Sequence, residues 1–319
     1  MEYTTLGRCG IPVSRLCIGS LTVSPVQANL PAERAAEVLA YAFSRGINFT
    51  DTAQYYENYP LLRRALQLYG GDVVISTKTY AYTREMAAAA LEEARRELDR
   101  DVIDIFMLHE QESYNTLTGH REALEYFLEC KERGIIRAVG ASMHHVAAVR
   151  GVCEVYRRGM ELDVIHPIFN RAGYGIADGT IDDMCEAVAE AHALGIGVFA
   201  MKALGGGHLF RDAAAAFDFV LDQPYVDAVA VGMQSEAEVD ANIAYFETRT
   251  FPAAAKNVLA GKTRRLHIED YCQGCGACMA RCTQGALTLT DGRAFVDMDK
   301  CVLCGYCSRV CPLFAIKVL

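Results

Sequence analysis

The chain has 319 residues, 52% of them apolar, with 31 basic against 40 acidic side chains and a formal charge of −9. That balance speaks against a nucleic-acid partner, since domains that grip phosphate backbones present a basic face. No basic segment followed by an apolar stretch opens the chain and no run approaches the ~18 apolar residues of a membrane span, so the expectation is a cytoplasmic protein that meets small molecules or other proteins, with no membrane contact.

From about residue 32, helical stretches rich in alanine and charge alternate with short β-branched runs. The strand candidates are Leu16–Gly19, Asn48–Thr50, Val73–Ser76, Ile103–Met107, Ala138–Gly140, Val164–Ile165, Gly197–Ala200 and Ala228–Val231. Between them the spacing predicts helices over Pro31–Arg45, Thr83–Leu98, Glu122–Arg133, Val146–Arg157, Thr180–Leu194 and Glu236–Phe246, several opening on acidic residues and closing on Gly. Alternation of this kind implies a parallel sheet. Eight strand–helix units within about 250 residues close most naturally into a (β/α)8 TIM barrel, expected over residues 1–248. A doubly wound open sheet ranks behind it, because no Gly-x-Gly-x-x-Gly follows an early strand. Cys9, Cys17, Cys130, Cys153 and Cys185 are scattered through this part without metal spacing and read as buried thiols of a reducing compartment.

Three strand candidates run into an ionisable residue: Gly46-Ile47-Asn48-Phe49-Thr50-Asp51, Asp72-Val73-Val74-Ile75-Ser76-Thr77-Lys78 and Ile103-Asp104-Ile105-Phe106-Met107-Leu108-His109. Barrel active sites form at the C-terminal strand ends, so Asp51, Lys78 and His109 should meet at one mouth, with Tyr56 on the loop after Asp51. This is a proton-donor arrangement. A phenol is a poor acid at neutral pH, and a neighbouring Lys78 would favour the phenolate while Asp51 held the lysine in place. His109 would hydrogen-bond and orient a substrate oxygen. Tyr55, Tyr59, Tyr80, Tyr82 and Tyr114 lie near the expected mouth.

The segments Gly46-Ile47-Asn48-Phe49-Thr50-Asp51-Thr52-Ala53-Gln54-Tyr55-Tyr56, Ile75-Ser76-Thr77-Lys78 and Met107-Leu108-His109 resemble the aldo-keto reductases. That resemblance runs to about residue 247. It implies catalytic roles for Asp51, Tyr56, Lys78 and His109, a small carbonyl or alcohol substrate, and NADPH or NADH bound in an extended pose without a Rossmann fingerprint. It also implies nicotinamide contacts at Ser142, His166 and Met201, although Met143 stands where the family carries Asn, His166 where it carries Gln, and Met201 where it carries an aromatic. Lys202 and the loop Gly205-Gly206-Gly207 would cradle pyrophosphate, and Ser235 and Asn242 would face the adenosine half. No basic residue for a 2′-phosphate stands in that last segment, and Glu238 and Asp240 would repel one, which leaves NADH open.

Residues 249–267 carry Arg249, Lys256, Lys262, Arg264 and Arg265 and no acidic residue. This stretch reads either as a solvated linker with a surface helix or as a basic collar that docks against acidic or anionic surfaces. Beyond it, over 268–319, eight of the thirteen cysteines fall in two copies of one spacing, Cys272-x2-Cys275-x2-Cys278-x3-Cys282 and Cys301-x2-Cys304-x2-Cys307-x3-Cys311-Pro312, offset by 29 residues. That is the ligand pattern for two [4Fe–4S] clusters in which the fourth cysteine of each run serves the other cluster. Cys272, Cys275, Cys278 and Cys311 are therefore grouped as one set, and Cys301, Cys304, Cys307 and Cys282 as the second. Zinc would have no use for a third Cys-x2-Cys step. The expected whole is a TIM barrel followed by a small α+β ferredoxin-like iron–sulfur domain. Hydride transfer moves two electrons and each cluster takes one, so a flavin would be the usual mediator; no flavin motif is visible. The reading is a carbonyl reductase coupled or tethered to its clusters, with a redox protein as a candidate partner. The alternative is an electron-transfer or redox-sensing subunit whose barrel binds a nucleotide with little turnover.

Overall fold

The computed structural model describes residues 1–253 and 264–319. All eight strand expectations become strands of one closed parallel barrel: β3 (Leu16–Gly19), β4 (Phe49–Asp51), β5 (Val74–Thr79), β6 (Ile103–Gln111), β7 (Ile136–Met143), β8 (Val164–Pro167), β9 (Gly197–Met201) and β10 (Ala228–Gly232), which returns to β3. Every strand but β6 and β7 is short, because both faces are buried and few residues are needed to cross the barrel. An antiparallel hairpin, β1 (Tyr3–Leu6) and β2 (Ile11–Ser14), precedes them. The strand pattern of the sequence does not reveal it. Leu6, Ile11 and Val13 plug the N-terminal end and share one core with Phe49, Ile105 and Phe199. Gly7, at φ 42°, permits the turn: a Cβ there would stand 2.3 Å from Gly197 N.

The outer layer is α1 (Ala32–Ser44), α2 (Tyr59–Tyr69), α3 (Arg84–Leu98), α4 (Tyr114–Gly119), α5 (Arg121–Glu132), α6 (Val146–Arg157), α7 (Ile181–Ala193), α8 (Ala213–Leu221) and α9 (Glu236–Thr248). Helices α2, α4 and α8 are additions to the expected set: α2 follows an aromatic loop, α4 is short, and α8 is almost uniformly apolar and so shows no helical periodicity. Start signals work where they are present. Thr83, Ser113, Thr180 and Ser235 each accept a backbone N–H from the first turn of the helix they precede. The largest apolar core lies between this layer and the strands, where each fully buried Val, Leu, Ile or Phe contributes roughly 1.5–3 kcal/mol. Of the five scattered cysteines, Cys17, Cys130 and Cys153 are buried and Cys9 and Cys185 partly exposed.

The second domain is two small antiparallel sheets, β11 (Leu266–Ile268) with β14 (Ile316–Val318) and β12 (Leu287–Thr290) with β13 (Arg293–Val296), plus helical turns at Ala277–Arg281 and Tyr306–Arg309. It sits on the C-terminal mouth of the barrel. Val318 N–H donates to Gly206 O (2.9 Å), Gln27 Nε2 donates to Glu269 Oε1 (3.1 Å), and Phe314 belongs to the barrel's outer core. Of the basic connector, Arg249 pairs with Asp218 of α8 and with Asp222, which caps that helix (both 3.0 Å), and Arg264 stacks on Phe210. Lys256 and Lys262 lie outside the described residues.

Candidate active site

Strand register brings the expected group together. Asp51 ends β4 opposite Ser76 of β5, and Lys78 of β5 lies opposite Met107 of β6, two residues short of His109. Lys78 Nζ donates to Asp51 Oδ1 (2.9 Å), Asp51 Oδ2 (2.7 Å) and Thr52 O (2.7 Å). Its three donors are thereby used. The ammonium stands 4.9 Å from the Tyr56 ring centroid, over the face of the ring. Burial pushes the Asp51 carboxyl up, but Lys78 and then His166 outweigh it and hold it well below the usual carboxylate range.

Tyr56 sits on the Gln54–Tyr56 turn, and the next residue, Glu57, adopts φ 53°, a left-handed conformation uncommon for a side chain of this kind. The loop is held from behind by a buried polar network that sequence reading missed. Asn58 Nδ2 donates to Ser20 Oγ (2.9 Å), Thr52 Oγ1 to Asn58 Oδ1 (2.6 Å) and Ser20 Oγ to Asp51 O (2.9 Å). Burial, followed by Asp51 and Glu110, pushes the Tyr56 phenol well above its ordinary value. His109 is buried, stacks on Tyr80 (4.4 Å between centroids) and meets Tyr56 edge-on (5.8 Å). Burial and then Lys78 hold its imidazole neutral. Among the described residues its Nδ1 is buried without a hydrogen-bond partner, which is uncommon for a buried polar atom.

A cavity of about 240 Å³ opens beside Tyr56. Asp51, His166, Met201, Lys202 and Gly206 line it together with Tyr56. His166 Nδ1–H donates to Phe199 O (2.6 Å), and its Nε2 lies 3.6 Å from Asp51 Oδ2. Lys202 Nζ donates to His144 Nε2 (2.7 Å). Four of the expected contacts do not reach the wall of the cavity. Ser142 is buried with its Oγ accepting Glu110 N–H (2.9 Å), Gly205 turns back to Lys202 O (2.7 Å), Ser235 caps α9, and Asn242 lies along α9. Arg264 and Glu238, by contrast, both line it. A basic residue thus reaches this end of the cavity from the connector, where the barrel segment carries none.

The eight cysteines of the second domain divide between two cavities. One is lined by Cys272, Cys275, Cys278 and Cys311, the other by Cys282, Cys301, Cys304 and Cys307. The fourth cysteine of each run has crossed to the other set. The 29-residue repeat survives in detail: Gly276 and Gly305, both at φ 79°, open the two helical turns, and Ala286 and Ala315 each donate a backbone N–H to sulfur, of Cys282 and Cys311 respectively (both 3.3 Å). Such N–H···S contacts favour thiolate charge and tune a cluster. Burial pushes the Cys307 thiol up to about 12, with Cys304 and Cys301 adding to it; ligation to iron removes that penalty. Four thiols around a cavity, with amides aimed at sulfur, fit a four-iron cluster in each set.

The aldo/keto reductase family model matches residues 15–214, well over half of the chain. The chain belongs to the aldo/keto reductase family. A second model, the 4Fe-4S dicluster domain, matches residues 266–315, so this reductase carries an iron–sulfur domain behind its barrel. The oxidoreductase YrpG of Bacillus subtilis is 28% identical over 236 residues, 66% of this chain and 68% of that protein. Aldo-keto reductase YhdN of the same organism is 26% identical over 186 residues, 53% of this chain and 54% of the relative, so the match spans little more than half of that protein. A subunit of the ion-translocating oxidoreductase complex of Methanosarcina acetivorans is 38% identical over 58 residues, 18% of this chain and 22% of that relative. Among solved structures, the holo form of an aldo-keto reductase from Bacillus halodurans superposes with a TM-score of 0.66 at 20% identity, covering 82% of this chain and 95% of that one, which is a likeness of fold.

Within this reductase the signal for the missed site residues was thin. Ser20, Asn58 and Thr52 are polar residues of loops, ordinary in sequence, and only the fold shows them buried behind Asp51. Among the described residues no helix is long and apolar enough to cross a membrane.

Proposed function

We propose that the barrel reduces a small aldehyde or ketone to an alcohol, or runs the reverse, with a nicotinamide cofactor at its mouth, in a cytoplasmic protein. The observation that carries this reading is the convergence of Tyr56 with the buried Asp51–Lys78 pair and with His109 edge-on to its ring. A bound nicotinamide supplies or accepts the hydride. Tyr56 Oη gives the proton to the carbonyl oxygen on reduction and takes it back on oxidation. The Lys78 ammonium over its ring compensates the charge that develops on the phenol oxygen. His109, held neutral and edge-on to Tyr56, would donate a ring N–H to the substrate oxygen and orient it. Tyr80 keeps that imidazole fixed by stacking. Met201, Lys202, Gly206 and Gly207 would hold the cofactor along the cavity. Cys272, Cys275, Cys278 and Cys311 would hold one [4Fe–4S] cluster and Cys282, Cys301, Cys304 and Cys307 the second, each carrying single electrons.

The test is Tyr56→Phe, which removes the proton donor and little else. Turnover is expected to fall about 10²- to 10⁴-fold with nucleotide affinity unchanged. Unaltered turnover sinks the reading. A second reading, an electron-transfer subunit, is favoured by the 38% identity, over 58 residues, to a subunit of an ion-translocating oxidoreductase complex. It expects rapid oxidation and reduction of the clusters by a protein partner, and no carbonyl turnover even with Tyr56 in place.

A further inference from the structure

The cavity at the barrel mouth is closed on its outer side by the other domain. Lys317, Val318 and Leu319 line it together with Tyr56 and His166. Backbone contacts hold the seam: Val318 N–H donates to Gly206 O, and His208 Nε2–H donates to Ile316 O (both 2.9 Å). Gly206 and Gly207 have φ of 63° and 87°. A Cβ on Gly207 would stand 2.0 Å from Val318 O, and one on Gly206 would stand 3.0 Å from Lys317 Cδ. The glycines expected to cradle a pyrophosphate therefore also admit the iron–sulfur domain to the same place.

Lys317 is the unusual group in this seam. It is 4% exposed, its ammonium donates to Phe314 O, and it lies 3.4 Å from the centroid of the Phe314 ring. Among the described residues its hydrogen-bond partner is thus a neutral carbonyl, and an ammonium has three donors to satisfy. A buried ammonium to which no carboxylate is hydrogen-bonded is costly, even with Glu269, Cys311 and Glu110 near enough to favour its charge. The nearby carboxylates are engaged elsewhere: Asp51 with Lys78, Glu269 with Gln27, and Glu110 with Tyr80 (2.5 Å). Lys202, from the barrel side, is 5.6 Å from the same Phe314 ring. Two lysine amines thus approach one ring across a domain seam, at the edge of one cavity, and burial holds each below the usual lysine range. An anion placed between them relieves both.

We infer that Lys317, carried by the iron–sulfur domain, is a cofactor-binding residue that with Lys202 holds the phosphate-bearing part of a nucleotide, so that one ligand bridges both domains. The inference rests on the reading of the barrel mouth as a nucleotide site. Its consequence is reciprocal coupling: nucleotide strengthens domain docking, and docking strengthens nucleotide binding by the same factor.

Equilibrium binding of NADH, NADPH and flavin mononucleotide to the full-length, iron-loaded protein tests it, with Lys317→Gln, Lys317→Met and Lys300→Gln alongside. Lys300 is an exposed lysine of the same domain, paired with Asp297. Iron and sulfide content is measured on every variant. Any of the three ligands that binds the unaltered protein should bind both Lys317 variants at least about tenfold more weakly, the loss expected for one hydrogen bond to a charged group, and Lys300→Gln within about twofold. Lys317 variants that keep their iron and bind within about twofold of the unaltered protein overturn the inference. Hydrogen exchange on the unaltered protein decides the matter without any variant: nucleotide slows exchange at Val318 and Leu319 if it bridges the seam, and unchanged exchange overturns the bridge. Binding of flavin mononucleotide but of neither nicotinamide would defeat the nicotinamide reading alone, with Lys317 then decided on the flavin series. Binding of none of the three overturns both.

Discussion

Asp51, Lys78 and His109 stand on adjacent strands of a closed barrel, and their positions follow from backbone register and a core that is complete without any ligand. The eight cysteines stand on loops and one-turn helices of a domain whose own core is a handful of residues, among them Leu266, Ile268, Leu287 and Ile316. So few apolar side chains cannot stabilise such a small unit alone. The barrel makes its site from its fold, and the second domain makes its fold from its site. Iron should therefore matter to the two regions in opposite degree.

Cys278→Ser breaks that comparison at its most sensitive point and carries the largest effect. Cys278 is buried on the cavity it shares with Cys272, Cys275 and Cys311. Iron content should fall by at least half and limited proteolysis should open the chain beyond residue 264, while the helical signal of the barrel and its thermal transition persist. Simultaneous loss of both domains would mean that the barrel depends on the clusters as well. Within the barrel, Tyr56→Phe is the next largest effect, visible in turnover and absent from iron content.

Lys78→Met examines the barrel's own pair. Both side chains are nearly inaccessible, 1% for Lys78 and 6% for Asp51. Removing one partner leaves a buried carboxylate without its cation, a loss of about 3–5 kcal/mol, read from the midpoint and slope of denaturant unfolding. Asp51 is held below its unfolded value of ~3.9, so the pair's contribution is present above that value and is lost as pH falls through the lower folded value. In Lys78→Met the unpaired carboxyl rises instead, and the variant should recover part of its deficit as acid protonates it. A deficit that stays constant with pH would show that the pair is not what holds Asp51 ionised.

How much of this was legible before the fold was known follows the same division. The barrel strands and the points where Asp51, Lys78 and His109 leave them were readable, because a strand buried on both faces is a compact apolar run and the polar residue that ends it is conspicuous. The cysteine sets were readable because ligand spacing is local in the chain. The β1–β2 plug was not, since Thr4, Thr5 and Pro12 interrupt its apolar pattern. The role of Lys317 was not either. Nothing in Ala315-Ile316-Lys317-Val318 separates it from a surface strand; only the docking of β14 on Gly206 turns its lysine toward a cavity made by a domain about a hundred residues earlier. The contact at Ser142 was equally hidden, as strand pleating and the β6 end bring Glu110 N–H onto its hydroxyl.

The smallest expected effect is a pH profile that separates folding from binding at this seam. Burial pulls the Lys202 ammonium down to about 8, with Glu110 and Glu269 opposing and Lys78 reinforcing, and His144 Nε2 accepting its proton. The unfolded lysine titrates near ~10.4, so between about 8 and that value the unfolded chain binds the extra proton and its presence makes stability fall as pH drops and rise with pH. Nucleotide binding runs the other way. A phosphate favours the ammonium, so affinity should fall across the same window, by at most about tenfold per pH unit. His144 is held neutral by burial and by Lys202 itself and adds nothing there; thiols that titrate in the same range are common to both proteins compared. Lys202→Gln should flatten both slopes, measured as the difference from the unaltered protein in denaturant midpoint and in nucleotide affinity. Slopes of equal sign would mean that Lys202 titrates without meeting the ligand, and would remove the barrel's half of the anion site while leaving Lys317 to be judged on its own.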